Sequence, residues 1–187
     1  NQIIYIGKAK NLKKRVRSYF YKNNHAIKNK ILVSKIKDIE TLVVNNEVEA
    51  LLTEANMINK YRPKYNIVLK DDKSFPYIVI TNEEYPRVEI IREKKLYKNK
   101  NIYFGPYTDV NYLRLIVKTL HTLFPIRTCA YEINQQVINE KKIKVCLDYH
   151  ISKCHGPCEG LVSQENYNSM IKNVIFFLKG KNNLVKE

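Results

Sequence analysis

The sequence predicts an α+β chain on three observations. Short apolar runs bounded by turn residues read as strands at residues 2–6, 38–44, 75–81 and 87–92. Apolar residues spaced by three and four mark helices elsewhere. All four cysteines fall between Cys129 and Cys158, in a stretch with neither period. The expected organisation is therefore a first domain over 1–70, a β-hairpin and helix region over 71–128, and a Cys-rich segment over 129–180 that closes with a C-terminal helix. Residues 181–187 read as a linker.

The elements follow in order. Residues 2–6 form an apolar run closed by Gly7. Asn11 is placed to cap a helix over 12–22, with Leu12, Val16 and Phe20 on one stripe. A second basic helix is expected over 25–36, then a strand over 38–44. Asn46 followed by Glu49 resembles a capping box and opens a helix over 47–60, which Pro63 cannot continue. The runs 75–81 and 87–92 make a hairpin, and residues 103–107 (YFGPY) read as a turn. Thr108 or Asp109 caps a helix over 110–123 carrying Leu113, Val117 and Leu120 on one face. Ser163 opens the last helix, 164–179, with Tyr167, Ile171, Val174 and Leu178 in a stripe and Gly180 as its stop. The tail after it is polar and expected to fray.

Charge is the strongest compositional signal. The 187 residues carry 33 Lys/Arg against 18 Asp/Glu, a formal charge of +15. Residues 1–70 hold +10 of it, and eleven cations precede the first acid, Asp38. Such a field repels itself and is relieved by a polyanion that gives up counterions. Nucleic acid fits better than a membrane surface, since no segment joins the basic run to a broad apolar face. Lys10, Lys13, Lys14 and Arg17 are the expected phosphate grips. A solvated basic face is the plainer alternative. No apolar run approaches the roughly 18 residues of a bilayer span, and no secretory leader is visible, so the chain reads as cytoplasmic. With 44% hydrophobic residues, only 5 Gly and 6 Pro, it is neither disordered nor collagen-like. It starts without Met, in what reads as mid-strand, and is expected to be a fragment.

Within the first 70 residues, Tyr5, Lys8, Arg15, Tyr19, Glu54 and Asn66 form a candidate constellation. Arg15 and Tyr19 are neighbours one helical turn apart. Glu54 falls within about 60° of Leu51 and about 40° of Ile58 on its helix, and a carboxylate beside a buried stripe needs a partner. Phosphodiester hydrolysis uses such a set: a guanidinium fork for the growing phosphate charge, a carboxylate for a hard cation, a hydroxyl to take a proton. A structural ion pair of Glu54 with Arg15 or Lys8, and a plain turn role for Asn66, are the alternatives.

Cys129, Cys146, Cys154 and Cys158 are spaced C-x16-C-x7-C-x3-C. Nothing marks secretion, so disulfides are disfavoured. Tetrahedral zinc sites favour C-x2–4-C pairs, and only the last pair comes near. A [4Fe–4S] cluster takes wider, less regular spacing. Cluster, zinc and buried free thiols all stay open. His150 and His155 are alternative ligands expected to face solvent or bond the backbone; His25 and His121 carry no signal.

The stretch 5–20 (YIGKAKNLKKRVRSYF) resembles the second half of the GIY-YIG nuclease signature. Together with 49–56 (EALLTEAN), 61–77 (YRPKYNIVLKDDKSFPY), 103–108 (YFGPYT), 123–129 (LFPIRTC) and 146–160 (CLDYHISKCHGPCEG), it resembles the UvrC family of excision-repair incision subunits over about residues 1–180. For the first domain the resemblance implies a GIY-YIG-like small antiparallel sheet flanked by helices. The first half of the signature precedes residue 1 in that family, so a partner strand for 2–6 is expected to be missing. Implied roles are general base for Tyr5, active-site cation for Lys8, transition-state stabiliser for Arg15 and second hydroxyl for Tyr19. Glu54 would be the lone carboxylate for one Mg²⁺ or Mn²⁺, and Asn66 a further polar group. The implied reaction is the cut 3′ to a lesion in double-stranded DNA, made with UvrB; the four cysteines are implied to carry an iron–sulfur cluster. A non-catalytic nucleic-acid-binding module is the competing class. A homing or restriction enzyme of the GIY-YIG type fits the Cys block and the 103–108 stretch less well.

Overall fold

The computed structural model describes residues 2–21, 27–66, 75–92, 100–107 and 110–180. The chain divides into two compact units, Asn1–Asp71 and Asp72–Glu187, so the hairpin region and the Cys-rich segment share the second. The fold is α+β, with ten helices and strands plus one 3₁₀ turn among the described residues.

The first unit holds three helices. α1 (Leu12–Phe20) starts where Asn11 Oδ1 accepts the Lys14 amide, 2.9 Å. α2 spans Ile27–Lys35. α3 (Glu47–Tyr61) starts at Asn46, whose Oδ1 accepts the Glu49 amide at 2.8 Å, while Glu49 Oε2 reaches back to the Asn45 amide at 2.9 Å. It ends at Arg62, which turns left-handed (φ 45°) just before Pro63. The apolar stripe of α1 is less buried than its spacing predicts: none of its residues is fully buried, and Phe20 is 51% exposed.

Neither strand expected in this unit forms. Residues 2–6 and 38–44 have no ladder partner among the described residues, and an apolar run is a strand only when a neighbour takes its alternating amides and carbonyls. Segment 2–6 is held instead by residues 65 and 66. The Tyr65 amide donates to Ile4 O at 2.9 Å. The Asn66 side chain accepts from Ile6 N and donates to Ile6 O, both at 2.8 Å, as a strand would. The 38–44 run stays largely solvated, with Leu42 and Val43 exposed.

The second unit contains the sheet. β1 (Tyr77–Ile80) is central, between β2 (Val88–Ile91) and β3 (Ile102–Phe104), both antiparallel to it. The register pairs Ile78 with Ile90 and Phe104, and Ile80 with Val88 and Ile102. β3 is a correction: residues 103–107, expected as a turn, begin inside a strand, and the turn comes only at Gly105 (φ 127°). α4 (Val110–Leu123) packs on β2 and buries Leu113, Ile116 and Leu120, so Ile116 rather than Val117 completes its face. The capping residues proposed for it, Thr108 and Asp109, lie outside the described residues.

Two short helices, α5 (Gln135–Asn139) and α6 (Leu147–His150), punctuate the Cys segment, with a 3₁₀ turn at Pro157–Glu159. α7 (Gln164–Leu178) is capped by Ser163 and buries all four residues of its expected stripe, plus Phe177. Gly180 follows with φ 73°. Apolar side chains of β1, α4 and α7 thus form the core, with Ile78, Leu113, Ile116, Leu120, Tyr167, Val174 and Leu178 at 0% exposure. No helix among the described residues is long and apolar enough to cross a membrane.

Candidate functional site

In the first unit the six expected residues lie in linked pairs around one carboxylate and two phenols. Tyr19 Oη donates to Tyr5 Oη at 3.0 Å, and the two rings meet edge to face with centroids 5.9 Å apart. The Arg15 guanidinium carbon sits 5.0 Å from the Tyr19 ring centre, as one helical turn dictates. A hydrogen bond to Tyr5 raises the Arg15 pKa further and keeps the guanidinium charged. Burial pushes Tyr19 up to about 12, with the Tyr5 hydrogen bond adding to it, so Tyr19 is a donor at neutral pH.

Gly7 makes room for this pair. A Cβ on Gly7 would fall 2.9 Å from Tyr5 Cε1 and 2.9 Å from Tyr5 Oη, closer than side chains tolerate. The Tyr5 ring therefore lies over bare backbone.

Glu54 arrives from the middle of α3. Its Oε1 accepts the Lys8 amide at 3.1 Å, so the residue after Gly7 docks onto the helix through its main chain. Burial raises the Glu54 pKa; the charge of Lys8, its amide bond and the charge of Arg15 oppose the rise without cancelling it. Asn66 closes the arrangement by clamping Ile6. Tyr5, Arg15 and Tyr19 thus form one contact group, Glu54 meets the backbone of Lys8, and Asn66 holds Ile6 beside Tyr5.

The expected phosphate grips lie outside it. Lys10, Lys13, Lys14 and Arg17 are exposed. Lys10 makes an ion pair with Glu47 at 3.5 Å, open to water on both sides.

In the second unit the four thiols are free: Cys154 and Cys158 buried, Cys129 half-buried, Cys146 exposed. Burial pushes Cys154 up to about 11, and the charges of Cys129, Cys146 and Cys158 add to the shift. Burial also raises Cys158, with Cys129 the next cause. Gly156 N donates to Cys154 Sγ at 3.4 Å, and Arg127 Nη1 lies 3.8 Å from Cys129 Sγ. Among the described residues no group of three or more His, Cys, Asp or Glu side chains is placed to hold a metal ion. His150 and His155 are exposed. His25 lies outside the described residues. His121, dismissed on sequence, is half-buried, with an Nδ1 that lacks a partner and a pKa lowered by burial.

Arg127 was not singled out by the sequence. It is 0% exposed. Nε donates to Tyr85 O at 2.7 Å; Nη1 donates to Cys129 O at 3.0 Å and Tyr131 O at 2.7 Å; Nη2 is in close contact with Glu83 Oε2. Its own amide donates to Tyr167 Oη, which donates to Pro86 O. A cation in a run such as LFPIRTC looks like any surface arginine until the fold closes over it.

Comparisons with known proteins follow the same division. The family model for a UvrC-like GIY-YIG domain matches residues 1–67. That for the middle domain of UvrC/Cho excinucleases matches residues 75–177. The chain is 46% identical over 180 residues to the UvrABC system protein C of Chlorobaculum tepidum, covering 96% of the chain and 28% of that protein. It is 50% identical over 183 residues to its counterpart in Alkaliphilus oremlandii, 97% of the chain and 29% of that protein. For Bacteroides thetaiotaomicron the identity is 49% over 178 residues, 95% and 29%. The chain thus spans under a third of the length of the curated relatives it matches. No solved structure matches it.

Proposed function

Because the chain belongs to the UvrC/Cho excinuclease family, we propose that its first unit is a metal-dependent DNA endonuclease that cuts 3′ to lesions in double-stranded DNA during nucleotide-excision repair, with UvrB as its partner. The observation that carries the reading is the Tyr5–Tyr19–Arg15 group in the same unit as a half-buried carboxylate, Glu54, which accepts the Lys8 amide and feels the charge of Arg15.

Each group has a task in phosphodiester hydrolysis. Tyr5 takes the proton of the attacking water as the water oxygen adds to phosphorus and the scissile P–O bond breaks. Two donors, Tyr19 Oη and Arg15, already face Tyr5 Oη. Arg15 also neutralises charge that grows on the phosphoryl oxygens. Lys8 adds a second cation, and Asn66 fixes the segment that carries Tyr5. Glu54 offers hard oxygen to a single Mg²⁺ or Mn²⁺, which when bound supplies charge neutralisation and acidifies water. In the second unit Cys129, Cys146, Cys154 and Cys158 are the proposed ligands of a [4Fe–4S] cluster. That assignment is tested by iron analysis and an anaerobic absorption spectrum, where zinc or a colourless protein overturns it.

The decisive nuclease variant is Glu54→Gln. It removes the charge and keeps the size. Metal-dependent nicking of damaged DNA by the complete repair complex is expected to be abolished, with DNA affinity and its salt dependence unchanged. Full nicking by Glu54→Gln would mean that the metal assignment to Glu54 is wrong.

A further inference from the structure

In the second unit α5 and the 3₁₀ turn border a cavity of about 610 Å³, lined by Ile138, Asn139, Lys141, Lys144 and Glu159. Its volume falls in the range of ligand pockets, and no residue of the proposed cutting site contributes to it. Its frame is fixed. Asn134 caps α5 through its side chain. Gly160 (φ 70°) passes so close to α5 that a Cβ there would meet Ile138 Cγ2 at 3.0 Å. Glu159 Oε1 accepts the Val145 amide at 2.8 Å, which ties the lysine run to the turn.

The polar groups left to a ligand are donors. Lys141 and Lys144 are exposed. Asn139 Oδ1 accepts from Gln135 Nε2 at 3.0 Å, so Asn139 offers its N–H groups. The one carboxylate of the lining, Glu159, holds the Val145 amide and stands 4.0 Å from Lys144 Nζ. Lys142, between the two lining cations in sequence, already pairs with Glu140 at 2.5 Å. Lys141 is the telling residue. It follows the α5 C-cap, Glu140, and holds φ 51°, a left-handed position that glycine or asparagine takes at lower cost. Its amide donates to Ile138 O at 3.1 Å, so the turn keeps it there. Glycine would serve the turn better; the ammonium is what lysine adds, and strain held in place in this way marks functional positions.

We propose that this cavity is a phosphate site for the DNA backbone, a second grip made by Lys141 and Lys144 and separate from Lys13, Lys14 and Arg17 of the first unit. The choice of ligand rests on the DNA-endonuclease reading above. An ammonium meets a phosphodiester oxygen as a point charge and displaces condensed counterions. DNA is favoured over a small free anion because the two cations are exposed. Exposed charges hold a lone anion weakly through water and salt. They gain when the phosphate belongs to a polymer that the chain already holds elsewhere, since the second contact is then intramolecular.

The test titrates the whole chain with duplex DNA across a salt series. Lys141→Gly keeps the turn and removes one ammonium; Lys144→Gln removes the other. Lys172→Gln removes an exposed cation of α7 outside the cavity lining. The slope of log affinity against log salt is expected to fall by about one in each cavity variant and by about two in the double variant. Lys141→Gly is expected to melt no lower than the unsubstituted chain, and Lys172→Gln to leave the slope in place. Unchanged slopes in the cavity variants, or an equal fall in Lys172→Gln, overturn the site. Inorganic phosphate bound at constant ionic strength and lost in both cavity variants, with the DNA slope unmoved, makes the cavity a small-anion site and overturns the DNA assignment. If Lys141→Gly melts lower, Lys144→Gln alone decides, and an unmoved slope overturns the proposal. The slopes are read whether or not the chain cuts, so a failed nuclease reading shows as absent nicking with these slope changes intact, and a failed second grip as nicking without them.

Discussion

At the scale of single residues, Glu54 carries the clearest electrostatic consequence. A raised pKa means the carboxyl takes up its proton at higher pH than an ordinary glutamate. The ionised form that can hold a cation is therefore lost earlier as pH falls, and the acid limb of nicking is expected above the usual carboxylate range. The Lys8 charge acts against the rise. Lys8→Met, which keeps the amide that donates to Glu54 but deletes the ammonium, is expected to move that limb to still higher pH, read from nicking rate against pH at subsaturating Mg²⁺. An unmoved limb would detach Lys8 from the carboxylate. The same carboxyl bears on stability with the opposite sign: its raised folded pKa favours the folded state below the unfolded pKa, an advantage lost as pH rises through the folded value. Gly7 is the steric counterpart. A methyl group in Gly7→Ala must push Tyr5 Oη aside, and a displacement of about 1 Å at a reacting group costs on the order of 10²-fold in rate. Single-turnover nicking reads that loss, while DNA affinity is expected to stay put.

At the scale of elements, the helices were the legible part. Asn11, Asn46 and Ser163 each announce a helix start, and each cap is made through the side-chain oxygen. The α7 stripe is buried as its spacing requires. Strands were less legible because their partners are remote. Residues 2–6 and 38–44 have strand composition, but composition does not supply a ladder. Residues 102–104 form an edge strand hidden in the sequence by the Gly105-Pro106 turn beside them. In the candidate site, Tyr5, Arg15, Tyr19 and Glu54 could be picked out by residue type and helical phase; the Asn66 clamp and the enclosed Arg127 could not, since both depend on contacts across 60 and 44 positions. Asn66 replaces a missing ladder with one side chain. Asn66→Ala should destabilise the first unit by about 2 kcal/mol, for two part-buried hydrogen bonds lost. Hydrogen exchange of the Ile6 amide against a urea melt measures it, and an amide as protected as before would mean that the clamp is idle.

At the scale of the whole molecule, the charge is divided as the two units are, with +10 in residues 1–70 and +5 in the rest. Lys13, Lys14 and Arg17 are exposed and take no part in the Tyr5–Tyr19 contact, so on the proposed reading a loss of DNA grip can be told from a loss of cutting. Replacing these three by Gln should lower the slope of log affinity against log salt by about one per cation removed. The measurement is a DNA titration across a salt series; an unaltered slope would place the grip elsewhere. The Asn66–Ile6 clasp has a temporal meaning as well. It closes a loop of 60 residues, so the segment that carries Tyr5 is pinned only once a residue far later in the chain has been made.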